Sequence, residues 1–397
     1  MKKRRAFSFL DISIVVVLTA VIMYVLGGIL VYRHLGGVNY SLLAQDKNLQ
    51  EFISAYNGLI DNYYENLDKT TLIEGAIDGM YKTVDDPYTN YMDEINTTSL
   101  NDSLSGTYKG IGIRLSSDDE GKPVIYEVFE NSPANDAGLM KGDIIIEVDG
   151  EDTSELFPSD IAALIKNTDK NETNITVMRG DEKKSFTVGI ASLDVPVVKT
   201  EILEKDGTRV GYISLSVFND TADTQFIEGL EKLESKNISS LIIDLRSNTG
   251  GYLEVAKNIA EAFIEKDKII YSLENKDSKT DYKDKTNDKK DYKVAIVLNK
   301  GSASASEILA SALKYSYNAV LVGETSFGKG KVQERSNLST GNTVKYTTAK
   351  WLTPKGDCID GIGLTPDYPI ALDKEKLVYD DIRTDSQIMY AFEILSK

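Results

Sequence analysis

The chain has 397 residues, 41% hydrophobic and 27% charged, a balance typical of globular domains with apolar cores. Its net charge of −17 repels polyphosphate, so we expect no nucleic acid partner. One cysteine and one histidine exclude an intrachain disulfide and a His/Cys zinc site, and a Ser-His-Asp triad would have to use His34. We expect no metal site, and any catalysis must use serine, lysine, acidic or tyrosine side chains.

The N-terminal region contains an uncharged apolar stretch, residues 12–32, which is long enough for a helix to cross a bilayer. A signal peptide would have a shorter apolar region and a cleavage site of small residues; Gly36–Gly37 leaves cleavage open. The KKRR sequence precedes the stretch, and a single arginine closely follows it. The positive-inside rule therefore predicts a cytoplasmic basic tail (1–11), a single-pass anchor in the cell membrane, and an extracytoplasmic remainder.

Residues 40–100 space their apolar side chains three and four apart, a pattern typical of amphipathic helices. The second helical pattern stops before Pro87, which cannot continue it. We predict a small N-terminal helical domain.

Residues 101–190 combine short β-rich runs with one helical pattern, which indicates an α+β module. The module resembles a PDZ domain in three pieces: the glycine-bearing strand start at 109–113, the SPANDAGLMKGD segment and the IIIEVDG strand. PDZ domains bind a peptide C-terminus by adding it to a sheet edge. The resemblance implies that backbone N–H groups of one loop capture the carboxylate: Gly110, Ile111, Gly112 and Ile113. The alternative is an α+β domain with a structural role only.

Residues 191–397 alternate strand and helix patterns, which favours an open α/β layer. Residues 274–293 interrupt the alternation with charged and polar side chains, and we predict a solvated loop or mobile insertion there.

A strand–turn–helix pattern follows, in which an apolar strand ends at Leu298 and three serines open a helix: Ser302, Ser304 and Ser306. Such a layout resembles a nucleophile elbow, with unpaired N–H groups at the helix start that can stabilise an oxyanion. Serine is also a common N-cap, so this stretch alone leaves plain helix capping open.

Lys329 lies between two glycines after another buried strand. A lysine acts as a base only when its amine is neutral, and burial in an apolar site lowers its pKa. The neutral amide of Gln333 could orient the amine without adding charge. The alternatives are a solvated lysine and a phosphate-binding loop, although the spacing is not that of a P-loop.

The SASASEI (302–308) and FGKGKVQ (327–333) segments resemble the C-terminal processing peptidases, or tail-specific proteases. The segments at 72–80, 85–92, 242–251 and 361–367 match further motifs, so the resemblance runs from about residue 50 to 370. It implies that Ser304 is the nucleophile, Lys329 the general base and Gln333 the orienting residue. It also implies an oxyanion hole formed by the N–H of Ala305 and one from Gly250–Gly251, without a cofactor.

The resemblance further implies a crotonase-like α/β protease core with an inserted PDZ domain that admits substrate tails. The expected activity is that of a serine endopeptidase, which trims secreted or membrane proteins with free C-termini and takes part in proteolytic signalling. Self-association into a homo-oligomer would use residues 40–100 and 370–397. Two alternatives stay open: a PDZ adaptor fused to an inactive protease fold, and an acyl-CoA enzyme of the crotonase type.

Overall fold

The computed structural model describes residues 46–118, 121–153, 156–166, 170–378 and 381–397, together with residues 18, 19, 21 and 23. The chain divides into two compact units, Met1–Met80 and Tyr81–Lys397. The predicted basic tail and anchor lie outside the described residues, apart from those four positions. In the part of the chain that is described, no helix combines the length and apolarity needed to cross a membrane.

The α-helices in the described ranges share ordinary helical geometry and are listed here in chain order: α1 (Lys47–Asn62), α2 (Lys69–Lys82), α3 (Glu94–Ser105), α4 (Pro133–Ala137), α5 (Pro158–Lys166), α6 (Ala222–Glu234), α7 (Leu253–Glu261), α8 (Ala305–Ala312) and α9 (Ser386–Leu395). A π-helical turn (Leu313–Tyr317) extends α8, and a 3-10 turn (Ile382–Thr384) precedes α9.

The strands are, in the same order, β1 (Asn90–Met92), β2 (Thr107–Gly110), β3 (Ile113–Ser117), β4 (Pro123–Val128), β5 (Ile144–Val148), β6 (Glu151–Asp152), β7 (Glu172–Arg179), β8 (Glu182–Gly189), β9 (Ala191–Asp194), β10 (Val198–Lys205), β11 (Thr208–Leu215), β12 (Ser240–Asp244), β13 (Ile269–Glu274), β14 (Lys279–Lys283), β15 (Lys293–Leu298), β16 (Val320–Gly323), β17 (Lys331–Asn337), β18 (Thr343–Leu352) and β19 (Tyr368–Pro369).

Helices α1 to α3 account for the helical pattern of residues 40–100, but β1 interrupts it. The backbone of β1 pairs with β18, which is more than 200 positions later in the chain, a contact that helical periodicity cannot reveal.

The predicted α+β module has its own core. Strands β3, β4, β5, β7 and β8 form one antiparallel sheet in that order, and β6 pairs with β5. The buried apolar side chains of this sheet pack with those of α4 and α5. Before and after the module, β2 and β9 pair antiparallel to form a two-stranded ribbon.

The largest core surrounds a six-stranded sheet of order β10-β11-β12-β15-β16-β19, parallel except for β10. Alternate side chains of β12 enter different clusters: Leu241 and Ile243 pack with α6, α7 and α8, whereas Ile242 packs with α9. Both faces of the sheet are therefore covered, as in other parallel sheets. The loops after β12 and β15 leave the same edge of the sheet, where the candidate site lies.

The prediction of a solvated loop or mobile insertion at residues 274–293 was right about exposure, because most of these residues face solvent, but wrong about structure. Strand β14 pairs with β13, Asp284 is fully buried, and the side chains of Lys290 and Tyr292 both bond Glu234. The composition of this segment shows only that it is polar. It cannot show that the backbone pairs with β13 or that two of its side chains bond Glu234 of α6.

Arg246, at the end of β12, holds α9 against the sheet. Its guanidinium donates to Asp244 and, at 2.8 Å, to Asp385, the N-cap of α9; the side chains of both aspartates are 8% exposed. Removing one partner of a buried ion pair costs about 3–5 kcal/mol, because the other charges stay buried. We expect Arg246→Ala to lower the free energy of unfolding by about 3 kcal/mol, measured by urea denaturation.

Lys376→Ala provides the control, because it removes an ion pair with Asp373 whose lysine side chain is 78% exposed. We expect Lys376→Ala to leave the free energy of unfolding unchanged within the error of the measurement. Equal stability of the two variants would show that the Arg246 cluster does not hold α9 in place.

Candidate active site

Ser304 lies in a sharp turn between β15 and α8. It is the N-cap of α8, with φ 56° and ψ −113°, a backbone conformation that residues other than glycine rarely adopt. Such strain costs about 1–3 kcal/mol and is found mainly at functional sites. The turn places the side chain at the carboxyl edge of the sheet, as the strand–turn–helix pattern predicted.

Hydrogen bonding distinguishes the three serines of this turn. Ser302 donates its hydroxyl to the Leu245 carbonyl at 2.8 Å, and Ser306 donates its hydroxyl to the Asn248 carbonyl at 2.8 Å. Both side chains are fully buried, whereas Ser304 keeps 7% of its surface exposed. Ser302 and Ser306 thus hold the turn onto the loop after β12, which leaves Ser304 as the serine that a substrate can reach.

The loop after β12 brings the glycine pair next to Ser304. A methyl group on Gly250 would lie 2.9 Å from Ser304 Cβ and 3.1 Å from the Ala305 nitrogen, so no side chain fits there. The Gly250 N–H donates to Asn248 Oδ1 at 2.9 Å and is not free for an oxyanion. The other two predicted oxyanion donors, the N–H groups of Ala305 and Gly251, form no hydrogen bond to another group within the described residues.

Glu307 joins the serine turn to the lysine loop. Its carboxylate is fully buried and accepts four hydrogen bonds of 2.6–2.9 Å, from three backbone N–H groups and one hydroxyl. The donors are Ser304 N, Ser326 Oγ, Gly328 N and Lys329 N. Two segments that are separate in the chain thus share a single anion.

Lys329 is partly buried in that loop. Burial lowers its pKa and the positive charge of Lys345 lowers it further, whereas the carboxylates of Glu307 and Asp86 act in the opposite direction. The net shift is downward, as the sequence predicted for a base. The amine lies 4.8 Å from the centre of the Tyr88 ring and forms no hydrogen bond or ion pair within the described ranges.

Glycine is required beside this lysine. A methyl group on Gly328, whose φ is 87°, would lie 2.7 Å from the Gly363 nitrogen and 2.9 Å from the Ile362 nitrogen. The late GIGLTPD motif (361–367) therefore packs directly on the lysine loop.

The side chain of Gln333 bonds Thr347 in this structure and forms no hydrogen bond with Lys329. Its amide donates to the Thr347 hydroxyl at 3.2 Å, and that hydroxyl donates to Asp86 at 2.6 Å. Asp86 also accepts from Thr89, and these bonds lower the pKa of its carboxyl to about 2 even though burial raises it. The predicted contact of Gln333 with Lys329 is therefore not formed here, and the orienting role of Gln333 stays a prediction.

The predicted PDZ loop lies beside an apolar groove of about 360 Å³ between β3 and α5. Gly110, Ile111 and Ile113 line this groove, together with Ala162 and Ile165 of α5. Gly112 faces inward, where its carbonyl accepts from the backbone N–H of Phe129 at 2.9 Å. The four predicted residues thus span the junction between β2 and β3, and three of them line the groove.

Sequence reasoning missed Glu307, Asn248 and Tyr88. Glu307 was detectable, because a glutamate three positions after a serine that opens a helix is the signature of a capping box. Asn248 lies inside the matched 242–251 motif, but nothing in the sequence shows that it contacts the serine turn. The position of Tyr88 depends on long-range pairing.

Comparison with known proteins identifies the family of this chain. The chain is 37% identical over 329 residues to the carboxy-terminal processing protease CtpB of Bacillus subtilis, covering 82% of this chain and 68% of that protein. The chain belongs to peptidase family S41, the carboxy-terminal processing serine proteases. The S41 model matches residues 209–370, a PDZ domain model matches 109–190, and the model for the N-terminal domain of the activating protease CtpB matches 36–96.

Further members of the S41 family are also similar to this chain. CtpA of the same organism is 32% identical over 395 residues, covering 96% of this chain and 80% of that protein. Among solved structures, the photosystem II D1 C-terminal processing protease has a TM-score of 0.50 at 24% identity, covering 84% of this chain and 89% of that one. A Bacteroides fragilis protein assigned to the S41 proteases has a TM-score of 0.53 at 16% identity, covering 84% and 91%. These two structures show the shared mixed α/β fold.

The predictions of the family, of a serine peptidase and of a PDZ domain are therefore confirmed. The domain boundaries, the crotonase-like assignment of the core and the roles of individual site residues stay predictions.

Glu307→Gln tests whether the shared carboxylate holds the S41 site together. A glutamine offers one acceptor oxygen where the carboxylate now receives four donors, so we expect the serine turn and the lysine loop to shift apart. A misplacement of about 1 Å can cost about 100-fold in rate, so we expect kcat on a fluorescent casein substrate to fall at least tenfold. Loss of the negative charge also removes one influence that raises the pKa of Lys329, so the pH–rate profile should move to lower pH.

Glu261→Gln is the matched control, since Glu261 is also largely buried, with its side chain 14% exposed, but pairs with Lys257 on α7. We expect it to keep its activity. An unchanged kcat and pH profile in Glu307→Gln would contradict the bridging role.

Proposed function

We propose that this S41 protease uses a serine–lysine dyad, in which Ser304 attacks the peptide carbonyl while Lys329 accepts its proton. The N–H groups of Ala305 and Gly251 would stabilise the oxyanion, and water would then hydrolyse the acyl-enzyme. The single observation that carries the assignment of the nucleophile is the hydrogen bonding of the serine cluster, which commits Ser302 and Ser306 to backbone carbonyls. The lowered pKa of Lys329 supports the role of the lysine.

The Lys329 amine forms no hydrogen bond with Ser304 in this structure, so the proposed dyad requires the amine to move from the Tyr88 ring until it can bond the serine hydroxyl. The amine has no hydrogen-bond partner to lose within the described residues, so this movement breaks only the contact with the ring, at 4.8 Å. Gln333 would then orient the amine after releasing Thr347.

A fluorophosphonate probe tests the nucleophile. We expect labelling of the wild type to disappear in Ser304→Ala and kcat to fall by about 10⁴-fold or more, as when the nucleophile of other serine proteases is removed. Ser306→Ala is the matched control, because it lies two positions away and donates to a carbonyl instead; it should still be labelled. Labelling that persists in Ser304→Ala would refute the assignment, and absence of labelling and turnover in the wild type would favour an inactive adaptor.

The pH dependence tests the base. Lysine must be neutral to accept a proton, and because its pKa is lowered, the neutral form appears at lower pH than for a free lysine. We expect kcat/KM to rise with pH through one apparent pKa below the usual value of about 10.4 and then to level off. The rise should be absent in Lys329→Ala, whose activity should be negligible. A flat wild-type profile from pH 6 to 10, with chemistry rate-limiting, would contradict a lysine base.

We further propose that the substrates are secreted or membrane proteins, and that their free C-termini bind the PDZ groove before cleavage. The apolar lining of the groove suits an apolar last side chain, and the family name of the relatives supports action near C-termini. A role in proteolytic signalling and assembly into homo-oligomers are parts of the same proposal.

The cellular location follows from residues 12–32, which we propose to be a retained anchor with the protease on the outer side of the cell membrane. We expect the protein to stay in the membrane pellet after alkaline carbonate extraction. Deletion of residues 2–34 should make it fully extractable. Extraction of the full chain by carbonate would contradict the anchor.

A further inference from the structure

The carboxylate-binding loop of the PDZ groove lies directly after β2 and leads into β3, the edge strand of its sheet. An extended peptide would pair with this edge and place its terminal carboxylate at the loop. The side chain of Tyr108 lines the same groove and lies over Gly110. Its hydroxyl is near the N–H groups of Gly112 and Ile113 but is not hydrogen-bonded to them. The protein's own side chain therefore occupies space beside the loop where a ligand's carboxylate would bind.

Several contacts fix Tyr108 in this position. Its ring lies across Gly110, so close that a methyl group on that glycine would be 2.5 Å from ring atom Cε2. The ring also meets Phe129 edge-on, with centroids 6.3 Å apart and an angle of 85° between the planes. Tyr108 thus lines the end of the groove together with the predicted loop.

The hydroxyl of Tyr108 is poorly satisfied. Its oxygen is buried and forms no hydrogen bond within the described part of the chain. The N–H groups of Gly112 and Ile113 are near enough to lower the pKa of this hydroxyl, but burial has the larger effect and raises the pKa overall. Tyr108 is therefore neutral, and a neutral oxygen accepts weaker hydrogen bonds than a carboxylate does.

We propose that Tyr108 covers the carboxylate-binding loop in the free protein, and that a peptide C-terminus binds only after this side chain has turned away. The inference rests on the proposed function of the groove. The carboxylate replaces the hydroxyl because it accepts charge-assisted bonds from the same N–H groups. The apparent affinity for a tail is reduced by the fraction of molecules in which the loop is covered, so Tyr108 sets the ligand concentration at which the groove fills.

Fluorescence anisotropy of a labelled peptide ending in valine tests this, with the C-terminal amide of the same peptide as a second probe. The full chain carrying Ser304→Ala prevents cleavage. We expect Tyr108→Ala to bind the free-carboxylate peptide at least fivefold more tightly than the background, and Tyr108→Phe, which keeps the ring but lacks the hydroxyl, to bind with an affinity between those of Tyr108→Ala and the background. Tyr126→Ala is the matched control, since Tyr126 belongs to the same module but its ring lies against Lys141, outside the groove.

Nitration of tyrosine by tetranitromethane, read by mass spectrometry, tests the same movement without a mutation at Tyr108. We expect modification of Tyr108 to be slow in the free protein and to increase when the free-carboxylate peptide saturates the groove, with Tyr126 unchanged.

Two results would overturn the inference while leaving the PDZ groove intact: equal binding of the carboxylate peptide by Tyr108→Ala and the background, or nitration of Tyr108 that does not respond to the peptide. If no variant prefers the carboxylate peptide over its amide, the proposed function of the groove fails, and the inference fails with it.

Discussion

The buried carboxylate of Glu307 connects the two parts of the site that the chain keeps apart. An ion taken out of water is costly unless its oxygens are fully hydrogen-bonded, and here the donors come from both the serine turn and the loop of Lys329. Neither segment can leave without exposing or unpairing the charge. The placement of the serine turn against the loop of Lys329 therefore depends on this one anion.

The carboxylate of Glu307 also acts against the proposed role of Lys329 as a base, because it raises the pKa of the lysine. A carboxylate near Lys329 favours the ammonium form, which cannot act as a base, yet the net pKa shift of the lysine is downward. Burial has the largest effect, and the positive charge of Lys345 adds to it. The site thus tolerates an unfavourable charge because the loss of hydration around the amine outweighs it.

The parallel sheet supplies the scaffold for these contacts. Loops that follow β12, β15 and β16 leave one edge of the sheet, so the glycine pair, the serine turn and the lysine loop meet there although they are separate in sequence. At the carboxyl ends of parallel strands, such convergence is the usual location of an active site. The PDZ module adds an apolar groove that Tyr108 of β2 helps to line, and β2 pairs with β9 in the ribbon that flanks the module.

The sequence by itself determined the alternation of strand and helix patterns, because hydrophobic periodicity is local, and its motifs identified the PDZ module and the peptidase family by resemblance. Its single histidine also argued against a histidine base. The prediction of Ser304 among three serines required a family resemblance, and only the tertiary structure shows that the other two hydroxyls donate to carbonyls of the loop after β12. Only that structure decided that Gly250 N–H is taken by Asn248, that residues 279–283 form a strand, and that Gln333 bonds Thr347. Each of these depends on partners many positions away, which no local pattern in the sequence specifies.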